Sequence, residues 1–214
     1  MSFPLSKIGC SRCIIDERLL ARGYQITFFK TLKMRTNTQN HFRFFVALMA
    51  CLLVRLMPFR APNIEPIMTT AMPFGKAYGA LTAGLFGFLS VIIYDSVTGT
   101  LGTWTLLTST SYALVGAASA LYFRNGQATR MNFVRFAVLG TLFFDATTGL
   151  LTGPLFFDQP FMAALVGQIP FTALHLLGNI VFAAVLSPGI YHILVRKRQE
   201  QPSPLIKKLN PKII

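Results

Sequence analysis

Residues 77–97 read AYGALTAGLFGFLSVIIYDSV, and Asp95 is the only charged residue among them. About 20 apolar residues in a helix cross the bilayer hydrocarbon. Lipid offers the backbone no hydrogen bonds, so a helix is the form such a run takes there. Further runs follow outward from this one: Phe42–Met57, Ile64–Phe74, Thr103–Phe123, Phe133–Leu151 and, beyond Pro170, Phe171–Val195. Turn-forming stretches separate them at Arg60-Ala-Pro-Asn-Ile-Glu-Pro66, at Gly99–Gly102, at Arg124-Asn-Gly-Gln127 and between Gly153-Pro154 and Pro160. The expected fold is an all-α integral membrane protein of six transmembrane helices. Within it Ile64–Phe74 is short, Arg55 snorkels to the interface, and Pro170 divides an interfacial stretch from the last span.

The chain has 214 residues, 53% of them hydrophobic and 13% charged, with a formal net charge of +13. That charged fraction is about half of what soluble domains carry. Eight of the 20 Lys and Arg residues lie in residues 1–43 and six in the tail from Arg196 to Lys212. Basic ends around an apolar body read as membrane topology, with the basic side cytoplasmic, and not as a nucleic-acid surface. Residues 1–40 are basic and patternless, and Met34 offers an alternative start. Residues 41–196 form the expected membrane domain, and 197–214 a basic cytoplasmic tail. An even number of crossings puts both termini in the cytoplasm of a multi-pass plasma-membrane protein. Cys10 and Cys13 form a C-x-x-C without a second pair or a nearby His, and Cys51 sits in an apolar run, so neither a disulfide framework nor a metal site is expected.

Small residues recur at spacings of three and four, as in Gly75/Gly79, Ala80/Gly84, Gly84/Gly87 and Gly116/Ala120. This spacing lets helix backbones approach closely in lipid. A longer period also appears. Tyr94-Asp95-Ser-Val-Thr-Gly99-Thr-Leu101 and Phe144-Asp145-Ala-Thr-Thr-Gly149-Leu-Leu151 share an aromatic-Asp-small-x-Thr-Gly-x-Leu pattern 50 residues apart. With two crossings between them, both aspartates are expected at one depth on the outer side, in a parallel internal repeat of the kind transporters use. Their bland reading is helix-terminal Asp bonded to Thr98 or Thr148; the functional one is a shared polar pocket. His175 and Asn179, four apart on one helical face, join Gln168, Asn63, Glu65 and Trp104 on the same side, Trp104 serving equally as an interface aromatic.

The segment Arg60–Pro66, the Gly/Ala-rich Phe74–Gly87, the Tyr94-Asp95…Gly99 turn and Leu101-Gly-Thr-Trp-Thr105 resemble the substrate-binding S components of energy-coupling factor (ECF) vitamin transporters, over about residues 42–195. The resemblance implies capture of a vitamin or similar micronutrient from outside. Its implied partners are a transmembrane coupling subunit and two cytoplasmic ATPases. Asn63, Glu65, Trp104, Asp145, His175 and Asn179 fall where it would put the ligand, alongside Asp95, Thr148 and Gln168 from the residue pattern. Ala47, Ala50 and Cys51 fall where it would put the docking surface, with Cys in place of a second Ala. No cofactor is implied. The chain holds no G-x-x-x-x-G-K-[ST] phosphate loop, so it is not expected to be an enzyme, and the energy is expected from the ATPases.

Two other readings stay open. A stand-alone proton-coupled carrier would use Asp95, Asp145 and His175 as a relay. An intramembrane aspartyl protease would pair the two aspartates, although Phe143-Phe144-Asp145 lacks that family's glycines. The three acids Glu65, Asp95 and Asp145 against Arg60 favour a neutral or cationic ligand.

Overall fold

A computed structural model describes residues 38–58 and 65–199. Among them the chain is all-helical, with α1 Thr38–Arg55, α2 Ile67–Tyr78, α3 Ala80–Thr98, α4 Thr103–Asn125, α5 Arg130–Asp145, a π-helical turn Ala146–Leu150, a short α6 Thr152–Phe156 and α7 Phe161–Gln199. Four stretches are long and apolar enough to cross a membrane: Ala80–Thr98, Thr103–Asn125, Arg130–Phe156 and Phe161–Val195. The protein is a multi-pass membrane protein on this ground. Asn63, Arg60, Cys10, Cys13 and the tail beyond Gln199 lie outside the described residues.

Contacts fix the directions of the helices. The Thr105 hydroxyl meets Asp95, while Gly116 abuts Ala83, so α3 and α4 are antiparallel. Met68 adjoins Val115 beside Gly140, and Lys76 reaches Phe123 and Gly126, so α2 runs parallel to α4. Hence α2 and α3 form a tight hairpin joined by one residue. Gly79, at φ 98° and ψ 177°, makes that reversal, in a region of backbone space that favours glycine. Helix α7 runs against α5, with Phe133 near Tyr191, Thr141 at Asn179 and Asp145 at His175. Phe44 packs on Phe74 and Phe86, and Arg43 bonds Tyr78, which sets α1 against α2. Six helices thus alternate in direction, and the start of α1 meets the end of α7 where Arg43 Nη1 donates to the Leu194 carbonyl at 3.1 Å.

Two helices fall outside the four. Helix α2 has 12 residues, about 18 Å against hydrocarbon about 30 Å thick. All of its residues but Lys76 are buried, as expected for a helix that is apolar on every side. Helix α1 has 18 residues and carries Arg43 and Arg55. Small residues act as the spacing predicted. A Cβ on Gly87 would collide with the Tyr112 carbonyl, one on Gly116 with that of Ala83, and one on Gly75 with Ser119.

Three expectations are corrected. Pro170 does not divide the last helix, because α7 runs unbroken from Phe161 to Gln199 through Pro170 and Pro188. A proline removes one helical hydrogen bond, and the apolar turns on both sides keep the helix continuous. The fifth span does not stop at Leu151 but passes through the π-turn to Phe156. Arg55 does not snorkel: it is buried and turned inward, held by partners on α3 and before α2.

Candidate functional site

A bilayer-spanning bundle disfavours charge in its interior, yet one half of this bundle holds several charged and polar side chains. Helix α4 supplies them through Thr105, Ser109 and Tyr112, which are spaced four and three apart, hence share a face, and are all buried. Tyr112 donates from its hydroxyl to Glu65 Oε2 at 3.2 Å. The other carboxylate oxygen of Glu65 accepts from Arg55 Nη2, also at 3.2 Å. Arg55 Nη1 donates to the Ser90 carbonyl at 2.8 Å, and its guanidinium lies 3.9 Å from the centre of the Tyr94 ring. Carbonyl, carboxylate and aromatic face together replace the hydration a buried arginine loses.

The second half of the cluster lies between α5 and α7. His175 Nδ1 is 2.7 Å from Asp145 Oδ1, and both side chains are 3% exposed. Asn179, one turn along α7, donates to Thr141 Oγ1 at 2.8 Å. Thr141 in turn faces Met68 Sδ. Phe144 bridges the halves, its ring centre 4.2 Å from that of Tyr112 and 5.6 Å from His175. Asp145 Oδ2 is buried and has no hydrogen-bond partner among the described residues, as are Arg55 Nε and Thr69 Oγ1. A buried acceptor left unpaired costs about 1–3 kcal/mol, so Asp145 holds an unused binding valence in the apolar interior. Among the described residues no three His, Cys, Asp or Glu side chains gather as a metal ion would need.

Of the residues singled out from sequence, the structure gathers Glu65, Asp145, His175 and Asn179 into this contiguous cluster. Asp95 is buried nearby, but among the described residues its carboxylate bonds Thr105 Oγ1 alone, at 2.6 Å. Thr105 precedes Tyr112, the residue against Phe144, by seven positions, about 10 Å along α4. The two aspartates have different partners, and no hydrogen bond joins them among the described residues. The two motif copies also end differently. Gly99 closes α3 in the left-handed conformation, whereas Gly149 lies inside a π-turn that runs on into α6. A π-turn inserts a residue and re-aims the side chains around it, so similar sequence gives dissimilar ends.

The Thr98 hydroxyl bonds the Tyr94 and Asp95 backbone carbonyls and the Thr100 hydroxyl, and that of Thr148 the Phe144 carbonyl; among the described residues neither reaches an aspartate side chain. Gln168 packs over Gly149 and bonds Thr172. Trp104 is half exposed at 48%, its ring folded over Gly102 and its Nε1 bonded to the Thr100 carbonyl. It faces outward, as an interface aromatic does. Sequence reasoning missed Arg55, Tyr112 and Thr141. The signal was there for Tyr112, since the one-face spacing of Thr105, Ser109 and Tyr112 marks an inward polar stripe. No family model, curated protein or solved structure matches the chain.

Proposed function

We propose that this chain is the substrate-binding membrane subunit of an ECF-type uptake transporter, binding a vitamin-like solute in the half of the bundle that holds Glu65, Tyr112, Asp145, His175 and Asn179. The observation that carries the reading is the cluster itself. Ionisable groups inside a membrane bundle are expensive and mark solute or ion pathways by default, and here Arg55–Glu65–Tyr112 joins Asp145–His175 through Phe144 without a break. Six alternating helices with both ends together support it further. On this reading α1 and α2 also cross, the repeat is a parallel one, and the basic end faces the cytoplasm of the plasma membrane. The partners are a coupling subunit and two ATPases, with Ala47, Ala50 and Cys51 at the docking surface.

The test is mass spectrometry of small molecules retained by the detergent-solubilised protein. A single organic solute retained by the native chain and lost in Tyr112→Phe or Asn179→Ala supports the reading; retention of none defeats it. A second reading, the stand-alone proton-coupled carrier, draws on the 2.7 Å contact of His175 and Asp145, across which a proton can pass. Uptake into vesicles driven by a pH gradient, without any ATPase, separates the two.

A further inference from the structure

A second concavity lies on the outside of the bundle, between α1 and α7, where α2 forms the floor. It encloses about 500 Å³. Thr70 and Phe74 of α2 form its base, Ala47 and Ala50 of α1 one wall, and Leu186 and Ile190 of α7 the other. The furrow exists because these alanines are small and α2 is buried behind them. Its lining is apolar apart from Thr70, whose hydroxyl is spent on the Pro66 carbonyl, and one cation.

That cation is Arg43, at the end of the furrow where α1 begins. Its Nη1 donates both to Tyr78 Oη and to the Leu194 carbonyl, each at 3.1 Å. Its remaining donors have no partner among the described residues, and the side chain is half-buried. The α7 sequence continues directly from there as Arg196-Lys197-Arg198. From Arg43 to Val54, the length of α1 along the furrow, is about 16 Å. One leaflet of hydrocarbon, half of about 30 Å, is nearly the same depth. An apolar slot one leaflet deep, with the Arg43 guanidinium at its head, matches a lipid with one acyl chain in the slot and an anionic phosphate at Arg43. A protein helix, about 10–12 Å across, would lie over a slot of this volume and not within it.

The geometry points to a specific site for an anionic phospholipid in the α1–α7 furrow, its headgroup on Arg43. The claim needs only that the bundle sits in a membrane; on the transport reading the coupling subunit, docking at Ala47, Ala50 and Cys51, would displace the lipid from the same furrow. Native mass spectrometry of the full chain in detergent, with added dioleoyl-phosphatidylglycerol or dioleoyl-phosphatidylcholine, tests it. One retained lipid is expected, with phosphatidylglycerol preferred about fivefold, the weight of one basic residue at a membrane surface. R43Q should erase the preference and R43K keep it. A50F, which fills the slot, should lower retention of both lipids while leaving the thermal midpoint unchanged. Equal retention of the two lipids by the native chain overturns the proposal, as does retention indifferent to A50F. A dimer mass that A50F abolishes also overturns it, and assigns the furrow to a second copy of the chain.

Discussion

Asp145 and His175 are the most exacting residues of the bundle, because each is buried where neither water nor lipid could replace the other. Without His175 both carboxylate oxygens of Asp145 would be buried without a partner among the described residues, and an unsatisfied buried acceptor costs about 1–3 kcal/mol, more where it is charged. His175→Ala is therefore expected to lower the unfolding free energy by about that amount in mixed-micelle denaturation. Thr141→Val removes only a neutral partner of Asn179, and interhelical hydrogen bonds of this kind are worth about 0.6–2 kcal/mol. If the two substitutions proved equally mild, the pair would not be holding α5 to α7. Arg55 poses a similar case. Arg55→Ala takes one donor from Glu65, which keeps Tyr112, so it should destabilise by about 1–3 kcal/mol. Glu65→Gln keeps one acceptor oxygen for Arg55, while its amide can donate to the Tyr112 hydroxyl, so it should cost clearly less. The same denaturation series ranks them.

At the scale of elements, the α3–α4 contact depends on missing side chains. Gly87 and Gly116 each face a backbone carbonyl of the opposite helix, which cannot move without the whole helix. Gly87→Ala and Gly116→Ala are expected to cost about 1–3 kcal/mol each, the ordinary penalty of overpacking. Gly167 and Gly189 on α7 have nothing within 4 Å of a Cβ. There alanine should be neutral or stabilising by up to about 1 kcal/mol through helix propensity alone. Thermal melting in detergent gives all four, and a loss at Gly167 or Gly189 as large as at Gly87 would contradict the contact geometry. Lys76 contributes at this scale as well: its ammonium donates to the Phe123 and Gly126 carbonyls and caps α4.

For the whole molecule the alternating helix directions make a testable topology. Gln127 follows α4 at the end where Lys76 and Arg43 lie, while Thr100 sits in the turn at the other end. In a chain with Cys10, Cys13 and Cys51 replaced, cysteines introduced at Gln127 and Thr100 are expected to react with impermeant reagents from opposite sides of the membrane. Reaction of both from one side would mean that α4 does not cross. The length of α7 raises a related point. Its 35-residue apolar part is about 52 Å long, well beyond the hydrocarbon thickness, so the helix either tilts or extends past the interface.

Membrane class, the helical body and the limits of the spans Ala80–Thr98 and Thr103–Asn125 were determined by the sequence alone, because apolar length against bilayer thickness is a one-dimensional comparison. The close helix approach at Gly84, Gly87 and Gly116 was equally legible, since small residues at these spacings have one use in lipid. Four members of the cluster, Glu65, Asp145, His175 and Asn179, could be named from their presence in apolar runs. Only the tertiary structure decided which of them meet. Arg55 reads as a snorkelling residue until α3 and Glu65 are seen to surround it, and Trp104 reads equally as a ligand platform and an interface aromatic until its exposure is seen. The matched Asp motifs diverge because a π-turn follows one and a glycine cap the other. Periodicity records which face of a helix is polar, but partners, depth and the one unpaired oxygen of Asp145 depend on how separate helices pack in three dimensions.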